Sequence, residues 1–303
     1  MTSNSQTLAF HWGGKSLRGW AIAEGGKIVE EFQADTALND AKERGYASTF
    51  EDITSTFLSN HPHAEIVIAG MAGAKGGWIE APYAPCPISP KSLIRAAVRF
   101  DVCGRKAMIL PGATYRNSQE NSDVMRGEEV QLLGVLHLLG MSEAVVSIPG
   151  KHCKQAILKS GQLDHFRSFV TGELFELLLA NSLVGALAEG DEFSPAAFET
   201  GVEHGAATPL ANAVFASRAN TLAGDLPPAH VSSFLSGVLI GHEVAQLSPI
   251  EGAPVVLMAS GVLADRYASA MKTLNIPFQA IDARDCMRAG LSVISEAMEP
   301  AFE

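Results

Sequence analysis

The chain of 303 residues has little cysteine, no excess of basic charge and no long apolar run. Its four cysteines, Cys86, Cys103, Cys153 and Cys286, are scattered without C-x-x-C spacing. That excludes a disulfide framework and a cysteine zinc site, and fits free thiols in a reducing cytoplasm, the expected location. A net charge of −11 excludes non-specific nucleic-acid binding, which needs basic surface. The most apolar stretch, LLLANSLVGALA, is interrupted by Asn181 and Ser182, so no membrane span is expected. The N-terminus MTSNSQTLAF lacks the basic run and apolar core of a signal peptide. There is no G-x-G-x-x-G after a strand, which excludes an ordinary Rossmann start. His152 has no second His or Cys at useful spacing, so no metal site made by side chains is expected.

With 47% hydrophobic residues, the chain can bury two ordinary cores. The most informative stretch is Asp123 to Lys154, DVMRGEEVQLLGVLHLLGMSEAVVSIPGKHCK. It opens on Arg-Gly-Glu-Glu, and Leu132, Leu133, Leu136 and Leu139 then recur at helical spacing. A short buried strand at 144–148 follows, then a Pro-Gly turn with Lys151, His152 and Lys154. Carboxylates at a helix start, a strand and a glycine turn with cations can hold a general base near a phosphate site. Glu128 and Glu129 are the candidates for the base, and Gly150, Lys151 and His152 for phosphate.

The N-terminal region reads as strand, glycine loop, strand, turn, strand over residues 7–33. The loop at Gly13 and Gly14, with Lys15, Ser16 and Arg18 after it, offers successive backbone N–H groups to an anion or forms a plain hairpin. A helix is expected over 46–60, with Phe50, Ile53, Thr54 and Phe57 on one face. A strand over 65–69 runs into GMAGAKGGW, where Gly73, Ala74 and Gly77 suggest close approach of backbone to a ligand. Trp78, Glu80 and Tyr83 either line a sugar-like pocket or anchor a rigid loop. Further expectations are a helix over 91–99, a strand over 107–110 and a domain boundary at Pro111-Gly112, giving domains 1–112 and 113–303. In the second half, strands are expected over 153–158 and 163–170, then a helix to 188 with Thr171 as its cap. Helices over 194–204, 209–223 and 228–247 follow, with Gly237 and Gly241 permitting close packing. A strand over 255–259 and a turn at Gly261 form a third anion or nucleotide candidate.

Taken in order, HWGGKSLRGW, AGMAGAKGGWIEAPY, DVMRGEEVQLLG, PGKHCK, FRSFVTGELFELLL, FLSGVLIGHEVA and LMASGVLADRY resemble the 2-dehydro-3-deoxygalactonokinase family over nearly the whole chain. The resemblance implies an α/β fold of two ribonuclease-H-like (actin-like ATPase) domains with an interdomain cleft. It implies transfer of the ATP γ-phosphoryl group to the 6-hydroxyl of 2-dehydro-3-deoxy-galactonate, with magnesium accompanying the ATP. It sets His11 in the phosphate loop, where the family pattern has Asp, and Lys151 where the pattern has Thr. Arg126 is either a bidentate partner for the substrate carboxylate or part of an ordinary inter-domain salt bridge; Arg18 and Arg167 are lesser candidates for the first role. The alternative is a kinase-like protein that binds a sugar acid or anion without phosphoryl transfer. The expected partners are a small sugar acid and a nucleotide. A homodimer is compatible with the sequence but not specified by it. If His11 faces the site, anion affinity is expected to rise as pH falls.

Overall fold

The structure, a computed structural model, describes residues 5–298 apart from 191, 249 and 251. In chain order the elements are β1 (Ser5–Trp12), β2 (Leu17–Ala23), β3 (Ile28–Ala34), α1 (Leu38–Arg44), α2 (Tyr46–Asn60), β4 (Glu65–Gly70), β5 (Tyr83–Pro85), α3 (Pro90–Ala96), β6 (Val98–Val102), β7 (Arg105–Ile109), β8 (Gly112–Arg116), β9 (Ser122–Met125) and α4 (Glu128–Leu139). There follow β10 (Ala144–Ile148), β11 (Cys153–Lys159), β12 (Gln162–Phe169), α5 (Thr171–Asn181), α6 (Pro195–Ala207), α7 (Leu210–Ala223), α8 (Val231–Val244), β13 (Val255–Met258), α9 (Val262–Thr273), β14 (Gln279–Ile281) and α10 (Ala283–Ala297). Contacts divide the chain into two compact units. The first is Met1–Glu143, Leu158–His165 and Ala283–Glu303; the second is Ala144–Ile157 and Phe166–Asp282.

The first unit is built on a sheet of order β3-β2-β1-β4-β7-β6. β1 to β3 form an antiparallel meander, while β4 and β7 run parallel to β1. β1 is apolar on both faces from Leu8 to Phe10 because it lies inside the sheet. α2 covers it with Phe50, Thr54 and Phe57, and Ile53 is partly buried beside them. The Phe10 ring meets Phe50 edge-on at 4.9 Å and Phe57 at 5.8 Å. The expected helix over 91–99 stops at Ala96, and Val98 begins an unexpected strand. β6 alternates exposed Arg99 and Asp101 with Val98, Phe100 and Val102. It turns into β7 through Cys103 and Gly104, both at positive φ.

The boundary expected at Pro111-Gly112 falls inside this first unit. β8 pairs with β5 and β9 just after it, and α4 packs on α10. That helix pair is close: a Cβ on Gly134 would lie 1.9 Å from the Cys286 carbonyl oxygen, and one on Gly290 1.9 Å from that of Val130.

The second unit has the sheet order β12-β11-β10-β13-β14, with β10, β13 and β14 parallel. Apart from the added edge strand β6, both sheets thus follow one plan: a central first strand, the next two strands on one side, later parallel strands on the other. That is the ribonuclease-H-like, actin-like ATPase plan the resemblance implies. α6 and α8 cross at glycines, as expected for Gly237 and Gly241. A Cβ there would sit 2.1 Å and 2.3 Å from the Phe198 and Val202 carbonyl oxygens, and Gly201 and Gly205 are equally close on the other side. The helix expected to reach 188 ends at Asn181, where Ser182 turns back to the Leu178 carbonyl. Among the described residues, no helix is long and apolar enough to cross a membrane.

Candidate active site

In the first unit, three loops meet at one imidazole. His11 lies near the end of β1, opposite Arg18 on β2. A Cβ on Gly70, at the end of β4, would lie 3.0 Å from His11 Nε2, and one on Gly127, the N-cap of α4, 3.5 Å. Gly70 and Gly127 hold φ of 92° and 103°, and any side chain on Gly70 would strike the ring. Gly13 donates its N–H to the Ser16 carbonyl at 3.0 Å, closing a tight turn. Gly14 and Lys15 are exposed, and a Cβ on Gly14 would meet nothing within 4 Å. The turn is therefore open to a ligand. Burial first, and the Arg18 charge second, push the His11 pKa down to about 4. The expected rise in anion affinity through His11 is thus displaced below neutral pH.

The Arg126 guanidinium lies 4.5 Å over the Tyr83 ring and donates through Nη2 to the Ala81 carbonyl at 2.8 Å. Its Nε and Nη1 are buried without partners, and a Cβ on Gly73 would lie 2.7 Å from Nη1. The sequence-named Arg126, Gly73 and Tyr83 therefore come together around a cation with donors to spare. Gly77 lets its loop close on the carbonyls of Met71, Ala72 and Ala74, and Ala74 donates to the Met71 carbonyl within that fold-back. Trp78 packs on Trp12 at 5.9 Å, Phe50 at 5.3 Å and Phe100 at 5.3 Å. Its ring is held in the core cluster and anchors the loop.

The two carboxyls at the start of α4 differ. Glu128 is partly exposed and accepts the Arg126 N–H at 3.1 Å. Glu129 is buried and accepts the Gly127 N–H at 2.7 Å, leaving Oε1 unpartnered. Burial, reinforced by the Glu128 charge, raises the Glu129 pKa to about 8.

In the second unit, the glycine turn rests on α5. A Cβ on Gly172 would lie 2.4 Å from the Gly150 carbonyl oxygen, and the Glu173 N–H donates to the Lys151 carbonyl at 3.1 Å. Lys151 pairs with Glu176 at 2.8 Å and His152 with Glu173 at 2.5 Å. Both sequence-named side chains are thus engaged by carboxylates of α5. Thr171, expected to cap α5, is its first residue instead and donates its hydroxyl to Glu243. Tyr267 donates to the same Glu243 oxygen at 2.8 Å, and the Cys153 thiol lies 3.1 Å from the Tyr267 hydroxyl and 3.2 Å from the Gly150 carbonyl. Burial raises the Glu243 pKa. This buried hub carries no sequence signal, because its members come from four separate elements. Arg167, a lesser substrate candidate, binds Gln155 at 2.8 Å and the Gln246 carbonyl, so it is structural. Gly261 caps α9 at φ 64°, beside Ser260, which donates to Asp282 at 2.8 Å.

Magnesium, expected with ATP, prefers carboxylate and phosphate oxygens. The loop from His11 to Arg18 offers an imidazole, an ammonium, a hydroxyl and a guanidinium, and no carboxylate. Among the described residues, no three His, Cys, Asp or Glu side chains come together as a metal site. The first loop therefore fits phosphate but does not fit the metal.

The chain matches the 2-keto-3-deoxy-galactonokinase family model over residues 11–294. It is 34% identical over 99% of its length to a Rhizobium meliloti (strain 1021) protein assigned as a 2-dehydro-3-deoxygalactonokinase, all of which is covered. It is 33% identical over 96% of its length to the 2-dehydro-3-deoxygalactonokinase of Escherichia coli (strain K12), covering 98% of that protein. A crystal structure of a Sinorhizobium meliloti protein assigned to the same activity superposes with a TM-score of 0.86 at 34% identity, over 96% of this chain and 98% of that one. By its sequence motifs, its fold and these matches, the chain belongs to the 2-keto-3-deoxy-galactonokinase family.

Proposed function

We infer that the chain is an ATP-dependent sugar-acid kinase that phosphorylates the 6-hydroxyl of 2-dehydro-3-deoxy-galactonate. Family membership supports the kinase activity. The observation that carries the acceptor assignment is Arg126, whose Nε and Nη1 are buried without partners over Tyr83 and beside Gly73. A desolvated guanidinium with free donors favours a carboxylate over a neutral sugar. Arg126 then holds the acid end of the substrate, and Gly73, Ala74 and Gly77 shape the loop beside it.

Glu128 is the better base of the pair. It is partly exposed and lies two residues from Arg126, where a bound substrate can reach it. Phosphoryl transfer needs little covalent help from the protein beyond positioning and charge stabilisation, so a carboxylate that accepts the hydroxyl proton suffices. Glu129, buried on the Gly127 N–H, holds the turn that presents Glu128. In this reading the glycine turn at Gly13-Gly14 is the phosphate contact of the first unit; Gly150 and the α9 start at Gly261 are the phosphate and nucleotide candidates of the second. Its alternative, a binder without phosphoryl transfer, has no observation in its favour.

The test is transfer of labelled phosphate from ATP to the keto-deoxy sugar acid, with calorimetry of sugar-acid binding. Arg126→Ala should weaken sugar-acid binding by at least about tenfold, roughly 1.4 kcal/mol. Unchanged binding would remove Arg126 from the acceptor site, and absence of transfer under any metal condition would refute the kinase reading.

A further inference from the structure

We propose that the first glycine loop receives nucleotide phosphates directly on Lys15, Arg18 and the loop backbone beside His11, without holding a magnesium ion. The proposal rests on the kinase reading for its ligand, ATP, but concerns which form of ATP this loop binds.

The loop residues set up the case. Arg18 has a buried Nε without a partner, and among the described residues no ion pair neutralises its guanidinium. Lys15 stands exposed at the tip beside Gly14, whose surroundings are empty. Two cationic side chains thus flank an open turn in a chain whose net charge is −11. His11 sits opposite Arg18 and is cradled by Gly70 and Gly127, so its ring faces the same loops. An uncharged imidazole offers one donor to a phosphate oxygen and no negative charge to a dication.

A magnesium ion brought here with ATP would meet two cationic side chains and no carboxylate of the loop itself, and the nearest carboxyls, Glu128 and Glu129 beyond Gly127, are already engaged by the Arg126 and Gly127 N–H groups. A phosphate oxygen would meet the two cationic side chains as partners, since lysine binds phosphate as a point charge and arginine as a fork. The loop's own attraction for phosphate therefore rests on Lys15 and Arg18.

The experiment is calorimetry of ATP binding with excess magnesium and with a chelator, in the unmodified protein, Lys15→Ala, Arg18→Ala and His11→Asp. The expected result is a Kd that differs by less than about tenfold between the two conditions in the unmodified protein. Lys15→Ala, exposed and safe for folding, should weaken metal-free binding by about tenfold, and His11→Asp should make binding depend on magnesium. Inorganic tripolyphosphate under chelator should compete with ATP and lose that ability in Lys15→Ala. Metal-free binding weaker by more than about tenfold in the unmodified protein, or left intact by both Lys15→Ala and Arg18→Ala, overturns the proposal. So does an unchanged magnesium response in His11→Asp. A protein that transfers phosphate but needs magnesium to bind ATP sinks this inference alone; one that transfers none with any metal sinks the kinase reading.

Discussion

At the level of single residues, Glu128 and Glu129 are adjacent in sequence and opposite in environment. A carboxyl whose folded pKa of about 8 stands above its usual 4.5 binds its proton more tightly in the folded chain. Its stabilising contribution is complete below about pH 4.5 and is lost as pH rises toward 8. For a buried group this is on the order of 5 kcal/mol. Glu129→Gln, which keeps the shape and the neutral form, should flatten the fall in melting temperature between about pH 5 and 8.5. An identical slope in the two proteins would show that Glu129 ionises freely. Glu128→Gln should instead lower kcat by roughly 100-fold or more while sugar-acid binding persists. His11 works in the opposite sense: its folded value near 4 lies below 6.5, so its contribution is lost as pH falls through that window. His11 should therefore add no pH dependence to ATP affinity between about pH 8 and 6, so that calorimetry of the unmodified protein and of His11→Asn should show the same pH profile there.

At the level of elements, what could be read from the sequence depended on how local the signal was. α2 was legible to the residue, because an apolar stripe on a long helix is a local pattern. The edge strand β6 was not, because Val98 to Val102 follows a helical run and its alternation is only five residues long. The Cys103-Gly104 turn was the missed signal. α1 is seven residues with Leu38 and Ala41 as its buried positions, too short for a period to emerge. Arg126, Gly73 and Tyr83 were legible as motif members, but their convergence needed coordinates. The Glu243 hub was illegible, since Thr171, Tyr267 and Cys153 are far apart in the chain. Removing Glu243 should leave the Thr171 and Tyr267 hydroxyls buried without their acceptor. Glu243→Ala is expected to cost about 2–5 kcal/mol by chemical denaturation, and Glu243→Gln less, because it keeps one acceptor oxygen. Gly237→Ala should cost at least about 1–3 kcal/mol, as its new methyl meets the Phe198 carbonyl. Equal stability in Gly237→Ala would mean that the helices move apart at little expense, and in Glu243→Ala that the two hydroxyls find other partners.

At the level of the whole molecule, the first unit has its own core around Leu8, Phe10 and Ile66, and the second around Val145, Tyr267 and Phe198. Two cores in one chain make a single all-or-none transition the exception. Deleting residues from Ala283 onward should lower the stability of the first unit, where α4 loses its partner α10, and spare the second. Hydrogen exchange resolved along the chain would show protection lost over 5–143 and kept over 166–282. Uniform loss across both would mean that the units melt together.

That return of the last helix to the first unit also bears on synthesis. A ribosome makes the 5–143 segment first, yet α10, which packs on α4, is made only after the second unit. The second unit's residues are all translated before α10 appears. Domains ordinarily fold from the N-terminus as they emerge. Here the order is inverted: the later-made half can finish first, while the earlier half stays open on its α4 face, exposing apolar surface until α10 has emerged.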